Sequence, residues 1–300
     1  LPSSAGSPDW RLALHGAADE VEQWITGIHG VAQTRILFVR GGRIYVVDSD
    51  GANERQVSDA GLSLSPAWSP DGHTISYSVL GSRGWYIVVK DLAGGPARTL
   101  AGTTVGLNTT PAFAPAGGSI AYAHGEEAGT DLMLADLAGG APRRVTVGRG
   151  SDNTTPSFSP DGRRIAFTSG RAGHPEVYIM DADGSNTELL TPFNFGDQNY
   201  RSNPDWSPDG QRIAFESQLA GSFQIMVISV RDRGVKQMTS EGINEDPSWA
   251  PDARHLVFTS SRSGVKQLWI LDSESGRARQ LTHAGGARLA AWSRTLGHGR

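Results

Sequence analysis

The sequence predicts an all-β fold: a six-bladed β-propeller of four-stranded antiparallel blades, closed by the C-terminal strand and preceded by a short N-terminal helix. Three observations predict it. First, a phrase recurs at Pro66-Ala-Trp-Ser-Pro-Asp-Gly72, Pro111-Ala-Phe-Ala-Pro-Ala-Gly117, Pro156-Ser-Phe-Ser-Pro-Asp-Gly162, Pro204-Asp-Trp-Ser-Pro-Asp-Gly210 and Pro247-Ser-Trp-Ala-Pro-Asp252, with a worn copy at Ala290-Ala-Trp292-Ser-Arg294. The steps between copies are 45, 45, 48, 43 and 43 residues, a period that marks a repeat architecture. Second, apolar residues inside each repeat alternate with the period of a strand and are punctuated by Pro/Gly turns. Third, the first repeat lacks an opening Pro-x-aromatic strand, while the last leaves Leu289-Ala-Ala-Trp292-Ser unused, so the end of the chain completes its beginning.

Taken in order, the first predicted element is a helix within residues 9–30. Val21, Trp24, Ile25 and Ile28 fall at i, i+3, i+4 and i+7, one apolar stripe that must be buried against the propeller or another domain. Asp19, Glu20 and Glu22 suit its N-terminal half, and Gly27 or Gly30 can end it. The unit from Pro156 shows how one repeat is built. Pro156-Ser-Phe-Ser is a short strand ending in Pro160-Asp-Gly162, where proline sets φ and glycine supplies a positive φ. Ile165-Ala-Phe167 and Val177-Tyr-Ile-Met180 follow as second and third strands, and Asp181-Ala-Asp-Gly184 turns the chain into Glu188-Leu-Leu-Thr191. The second strand recurs as Ile36-Leu-Phe38, Ile75-Ser-Tyr77, Ile120-Ala-Tyr122, Ile213-Ala-Phe215 and Leu256-Val-Phe258.

Composition bounds the function. The 300 residues carry a net charge of −4, which gives no basic footprint for nucleic acid, and no apolar run approaches the ~20 residues of a membrane span. Cysteine is absent, which excludes disulfides, thiolate catalysis and zinc–thiolate sites. The opening Leu1-Pro-Ser-Ser-Ala-Gly-Ser-Pro8 reads as a linker or processed edge, with no signal peptide. Residues 1–30 are therefore expected to be a linker and helix left from a missing N-terminal domain, and 31–300 the propeller.

Motifs for catalysis or metals are weak. No Gly-x-Ser-x-Gly elbow occurs, and Gly117-Gly-Ser-Ile-Ala121 lies in a repeated turn. Asp48-Ser-Asp-Gly51 and Asp181-Ala-Asp-Gly184 lack the remaining ligands of a calcium loop and read as turns. The eight histidines show no ligand spacing. Trp68, Phe113, Phe158, Trp206, Trp249 and Trp292 recur once per repeat, which reads as packing between blades. No catalytic residue, metal or cofactor is expected.

The variable segments point instead to a binding face. Segments leading into each innermost strand share one face with the loops between second and third strands. The former supply Asn108, Thr109, Thr110, Asn153, Thr154, Tyr200, Arg201, Asn244 and Glu245; the latter supply Arg171, His174 and Arg262. Arginine and aromatic residues are enriched at protein-binding hot spots. The longest step contains Thr191-Pro-Phe-Asn-Phe-Gly-Asp-Gln-Asn-Tyr-Arg-Ser-Asn203, a loop with three aromatic residues.

The repeat Pro-x-Trp-Ser-Pro-Asp-Gly-x-x-Ile-Ala-Phe resembles that of TolB-like propellers. The flanks add to it. His15-Gly-Ala-Ala-Asp-Glu-Val-Glu22, Thr26-Gly-Ile-His-Gly30 and Thr34-Arg-Ile36 look like the helix and segment that join the N-terminal domain of that family to its propeller, and Ala291-Trp-Ser-Arg-Thr-Leu296 resembles its closing strand. The resemblance runs from about Trp10 to Leu296. It implies a non-enzymatic, periplasmic, monomeric protein of the Tol-Pal cell-envelope system that binds the lipoprotein Pal on the channel-opening face, with Asn108, Asn153 and Thr154 matching the family's contact positions. Leu107 stands where the family often has histidine. Contact with TolA is not expected without the family's N-terminal segment. Two other readings stay open: a propeller enzyme, lyase or hydrolase, acting on an oligosaccharide in the channel, and a scaffold for another protein.

Overall fold

The computed structural model describes residues 8–59, 61–100, 102–103, 106–147, 151–192 and 200–294. Among the described residues, one helix, α1 (Pro8–Thr26), precedes 24 strands. Three strands follow the helix: β1 (Arg35–Arg40), β2 (Arg43–Asp48) and β3 (Arg55–Gln56). The next two repeats give β4 (Ser63–Trp68), β5 (Thr74–Gly81), β6 (Gly84–Asp91) and β7 (Arg98–Thr99), then β8 (Gly106–Phe113), β9 (Ser119–Glu126), β10 (Gly129–Asp136) and β11 (Arg143–Arg144). The central repeat holds β12 (Asn153–Phe158), β13 (Arg164–Ser169), β14 (Glu176–Asp181) and β15 (Glu188–Leu189). The last two hold β16 (Arg201–Trp206), β17 (Arg212–Leu219), β18 (Ser222–Ser229) and β19 (Val235–Gln237), then β20 (Asn244–Trp249), β21 (His255–Ser260), β22 (Gln267–Asp272) and β23 (Ala278–Gln280). The closing strand is β24 (Arg288–Trp292).

Hydrogen bonding corrects the expectation of six separate four-stranded blades. Four four-stranded sheets stand alone, β24-β1-β2-β3, β12-β13-β14-β15, β16-β17-β18-β19 and β20-β21-β22-β23. The other eight strands form a single sheet, β11-β10-β9-β8-β6-β5-β4 with β7 beside β6. The fold is an all-β propeller with one helix and four separate blades, not six. The cause is local. β6 and β8 run parallel for two residues, Gly84 beside Gly106 and Trp85 beside Leu107. A Cβ on Gly84 would lie 2.4 Å from the Gly106 carbonyl oxygen, so only a bare backbone permits this approach.

The repeated turn is explained by its side chains. In Ser159-Pro-Asp-Gly162, the Asp161 carboxylate accepts hydrogen bonds from Ser159 Oγ (2.6 Å) and from the Arg163 N–H (3.0 Å). Gly162 takes φ 71° and donates its N–H to the Ser159 carbonyl. These bonds hold the Asp161 carboxyl below its ordinary range, led by the Ser159 hydroxyl.

The second strands form the deepest layer, with Ile36, Phe38, Ile75, Ile120, Ile165, Phe167, Phe258 and Leu256 wholly buried. Each inner-strand aromatic packs on the preceding repeat: Trp68 with Leu37 and Val46, Trp206 with Ala166 and Ile179, Trp249 with Ala214 and Val227, and Trp292 with Val257 and Leu268. Truncating such a side chain to alanine costs about 3–5 kcal/mol. β24 lies antiparallel to β1. Trp292 Nε1 donates to Thr34 Oγ1 (2.7 Å), the Ser293 N–H donates to the Arg35 carbonyl (2.8 Å), and Trp68 Nε1 donates to the Ala291 carbonyl (3.0 Å).

The helix stripe is not buried by the propeller. Trp24 is 82% exposed and Ile25 79%, and Val21 and Ile28 are also exposed. Polar contacts hold α1 instead: Asp19 accepts the N–H groups of Ala32 (2.8 Å) and Gln33 (2.7 Å), and Arg11 and His15 pair with Asp50.

Candidate protein-binding face and central channel

Strand register defines the binding face. Ser63, at the start of inner strand β4, pairs with Val79 near the β5–β6 hairpin, so inner-strand starts and second-to-third hairpins lie at one end of each repeat. The candidate residues therefore share a face, although not one depth. Asn108, Asn153 and Asn244 are wholly buried. Asn153 Nδ2 donates to Asp131 Oδ1 (3.1 Å) and the Thr130 carbonyl (3.2 Å), and its Oδ1 accepts from Arg171 Nη2 (3.2 Å). Asn244 repeats the arrangement, donating to Gln224 Oε1 (2.8 Å) and accepting from Arg262 Nη2 (3.2 Å). Asn108 donates to the Trp85 carbonyl (2.9 Å) and faces His124 Nδ1 at 2.8 Å.

These asparagines belong to a polar rail that sequence reasoning missed. Thr146, Thr239 and Thr282 each accept an N–H from the third strand (Leu132, Ile225, Leu268) and each donate to the side chain one residue earlier (Asp131, Gln224, Gln267). The arginines complete it by stacking. The Arg171 guanidinium lies 5.4 Å from the Phe167 ring centre and 4.8 Å from that of Tyr178, and Arg262 lies 5.3 Å from Phe258 and 4.9 Å from Trp269. Burial pulls the Arg262 guanidinium below its ordinary range. In one repeat the rail is ionic: buried Glu176 accepts from Arg201 Nη1 at 3.0 Å through both oxygens, and His174 Nε2 lies 3.0 Å away. The signal in the sequence was a hydroxyl residue just after the fourth strand in five repeats, at Ser58, Thr146, Thr191, Thr239 and Thr282.

The remaining candidates are more open. Thr109, Thr110, Thr154 and Glu245 are half-buried, and Glu245 is paired with Lys266 Nζ. Tyr200 is exposed and meets Phe223 edge-on, ring centres 5.5 Å apart. Phe193 and Phe195 of the aromatic loop lie outside the described residues. Large exposed apolar side chains concentrate on this face: Leu62, Leu80, Leu107, Val147, Tyr200, Ile243 and Val265 all stand on its segments.

Below the face runs a central channel of about 280 Å³ lined by the inner strands. Its ring at the position before each repeat motif, Ser65, Thr110, Thr155, Asn203, Asp246 and Leu289, has left-handed backbone throughout, φ 49–54°. Each of the six lies in a register shift between inner and second strands. Non-glycine residues there store strain of about 1–3 kcal/mol each, held by the surrounding sheet. One wall is acidic. Asp205 accepts the Trp249 N–H (2.7 Å) and Ser157 Oγ (3.3 Å), and burial pushes its carboxyl up to about 6. Burial also raises Asp246, and it pushes neighbouring Glu216 up to about 7. Ala67, Ala112 and Ala290 also line the channel.

The molecule is a β-propeller with a buried polar rail and a loop face that carries exposed apolar side chains. Comparison with known proteins gives the family: residues 22–296 match the model of the TolB β-propeller domain (PD40), and the chain belongs to that family. The Tol-Pal system protein TolB of Thioalkalivibrio sulfidiphilus is 36% identical over 106 residues, 32% of this chain and 24% of the relative. That of Methylobacillus flagellatus is 42% identical over 96 residues, 30% and 22% of the two chains. The matched stretch thus spans about a quarter of these relatives' length. TolB from Acinetobacter baumannii superposes with a TM-score of 0.84 at 25% identity, over 97% of this chain and 74% of that one. Kuenenia stuttgartiensis hydrazine synthase, at 14% identity and a TM-score of 0.76, shares the fold alone.

Proposed function

We propose that this chain is a non-enzymatic, periplasmic binding propeller of the Tol-Pal system that docks a protein partner, the lipoprotein Pal, on its channel-opening face. The observation that carries the reading is the concentration of exposed apolar side chains there, interleaved with Arg201, Glu245 and Lys266. An apolar centre with a polar rim is the anatomy of a protein interface. The names of the curated relatives, each a Tol-Pal system protein TolB, support the system. In this reading Thr109, Thr110, Thr154, Tyr200, Arg201 and Glu245 make the contact. Asn108, Asn153, Asn244, Arg171, His174 and Arg262 fix the loops that present it.

Calorimetric titration with Pal from the same organism tests the reading. Binding with a Kd of about 10 µM or tighter is expected, and Tyr200→Ala weakens it roughly tenfold, a loss of about 1–2 kcal/mol at a central aromatic. Absence of binding at about 100 µM would refute the partner, and unchanged affinity in Tyr200→Ala would refute the contact.

A further inference from the structure

Glu216 on β17 and Asp246 on β20 meet where the channel wall joins the closing strand. Glu216 Oε1 accepts from Ser202 Oγ on β16 (2.6 Å), and Oε2 accepts the Asp246 N–H (3.0 Å). Asp246 Oδ1 accepts from Asn203 Nδ2 (3.2 Å), and Oδ2 accepts from Thr259 Oγ1 on β21 (3.1 Å) and the Leu289 N–H of β24 (3.1 Å). Five strands thus converge on two carboxyl groups, and every one of these donors is neutral. The charged and titratable groups facing them are few. Glu245 on β20 adds a like charge beside Asp246, and Lys266, from the β21–β22 segment, is paired with Glu245. Tyr200, just before β16, faces Glu216. β24 offers Asp246 a backbone N–H. Glu216 is buried and Asp246 is half-buried on the channel wall; two carboxylates so close among neutral donors repel each other and lose hydration, and a proton on either relieves both penalties.

We infer that Glu216 and Asp246 form a proton-retaining carboxyl pair that makes closure of the ring pH-sensitive, holding β24 more firmly with a proton bound than with both groups ionised. This is independent of any partner. The direction follows from linkage. Burial raises both groups, Glu216 from 4.5 to about 7, so the folded pair keeps a proton that the unfolded chain releases. The stability it contributes is complete below the unfolded value and is lost as pH rises through about 7. Asp205 titrates in the same sense, so the informative quantity is the difference between variants.

Thermal unfolding of the intact chain at about pH 5.5 and about pH 8 tests this. The wild-type Tm is expected to fall by about 4 °C at the higher pH, and Glu216→Gln or Asp246→Asn removes at least about half of that fall. If both variants keep the wild-type difference, the inference is wrong. A second measurement needs no variant. The Glu216 side-chain carboxyl carbon, followed by NMR, is expected to titrate above about pH 6, and a midpoint near the ordinary carboxyl value of about 4.3 overturns the inference.

Discussion

Asn244 stands among the variable polar residues that lead into an inner strand, and its side chain points inward. Its amide spans Gln224 and Arg262, so it connects one repeat to the next. Replacement by alanine leaves the Gln224 carbonyl and the Arg262 guanidinium short of a partner, and Asn244→Ala is expected to lose about 1–3 kcal/mol by denaturant titration. Val265→Ala, on the exposed rim, stays within about 0.5 kcal/mol. An Asn244→Ala protein as stable as wild type would remove the rail from the account. Asp205 gives a pH signature at the same scale. Its folded value is raised from 3.8 to about 6, so its stabilising proton is fully in place below 3.8 and is lost as pH rises through about 6. Asp205→Asn is expected to flatten that part of the stability profile, worth up to about 3 kcal/mol, and an unchanged profile would contradict the burial reading. Neither role is legible from residue type. Asn153 meets Asp131 across 22 positions and Asn244 meets Gln224 across 20, separations that no local periodicity carries.

At the scale of elements, periodicity placed the second and third strands well, because one face of each is wholly apolar. Ile165-Ala-Phe167 lies within β13 and Val177-Tyr-Ile-Met180 within β14. The sheet boundaries were not visible in the same pattern. What joins β6 to β8 is a backbone approach at Gly84 and Gly106, and glycines abound in this chain for turn chemistry alone. Gly84→Ala is expected to cost about 1–3 kcal/mol and to speed exchange of amide protons in residues 106–107. Normal stability with unchanged exchange would show that the parallel pairing does not depend on the bare backbone. The helix is the other departure. Its stripe at Val21, Trp24, Ile25 and Ile28 predicted burial, yet polar contacts tie α1 down: Asp19 to the N–H groups of residues 32 and 33, and Arg11 and His15 to Asp50. The stripe stays exposed on the described propeller.

For the whole molecule, the repeat motif sets the scaffold and the deviations from it set the site. The worn copy at Trp292 locks the ring: its indole reaches Thr34, its backbone N–H reaches Ser248, and β24 pairs with β1. That a closing strand would be needed was readable from the missing opening strand. The left-handed ring and its acidic wall were not, since they arise from a register shift repeated in every inner strand. Among the described residues, most of the large exposed apolar side chains lie on α1 and on the channel-opening loops, and the loops are the proposed docking face.

Hydrogen exchange of the chain with and without Pal measures that assignment most directly. Slower exchange on binding is expected in residues 61–63, 106–110, 200–203 and 242–246, with the Ser-Pro-Asp-Gly turns and α1 unchanged. Protection confined to α1 or to those turns, or no protection at all, would contradict it.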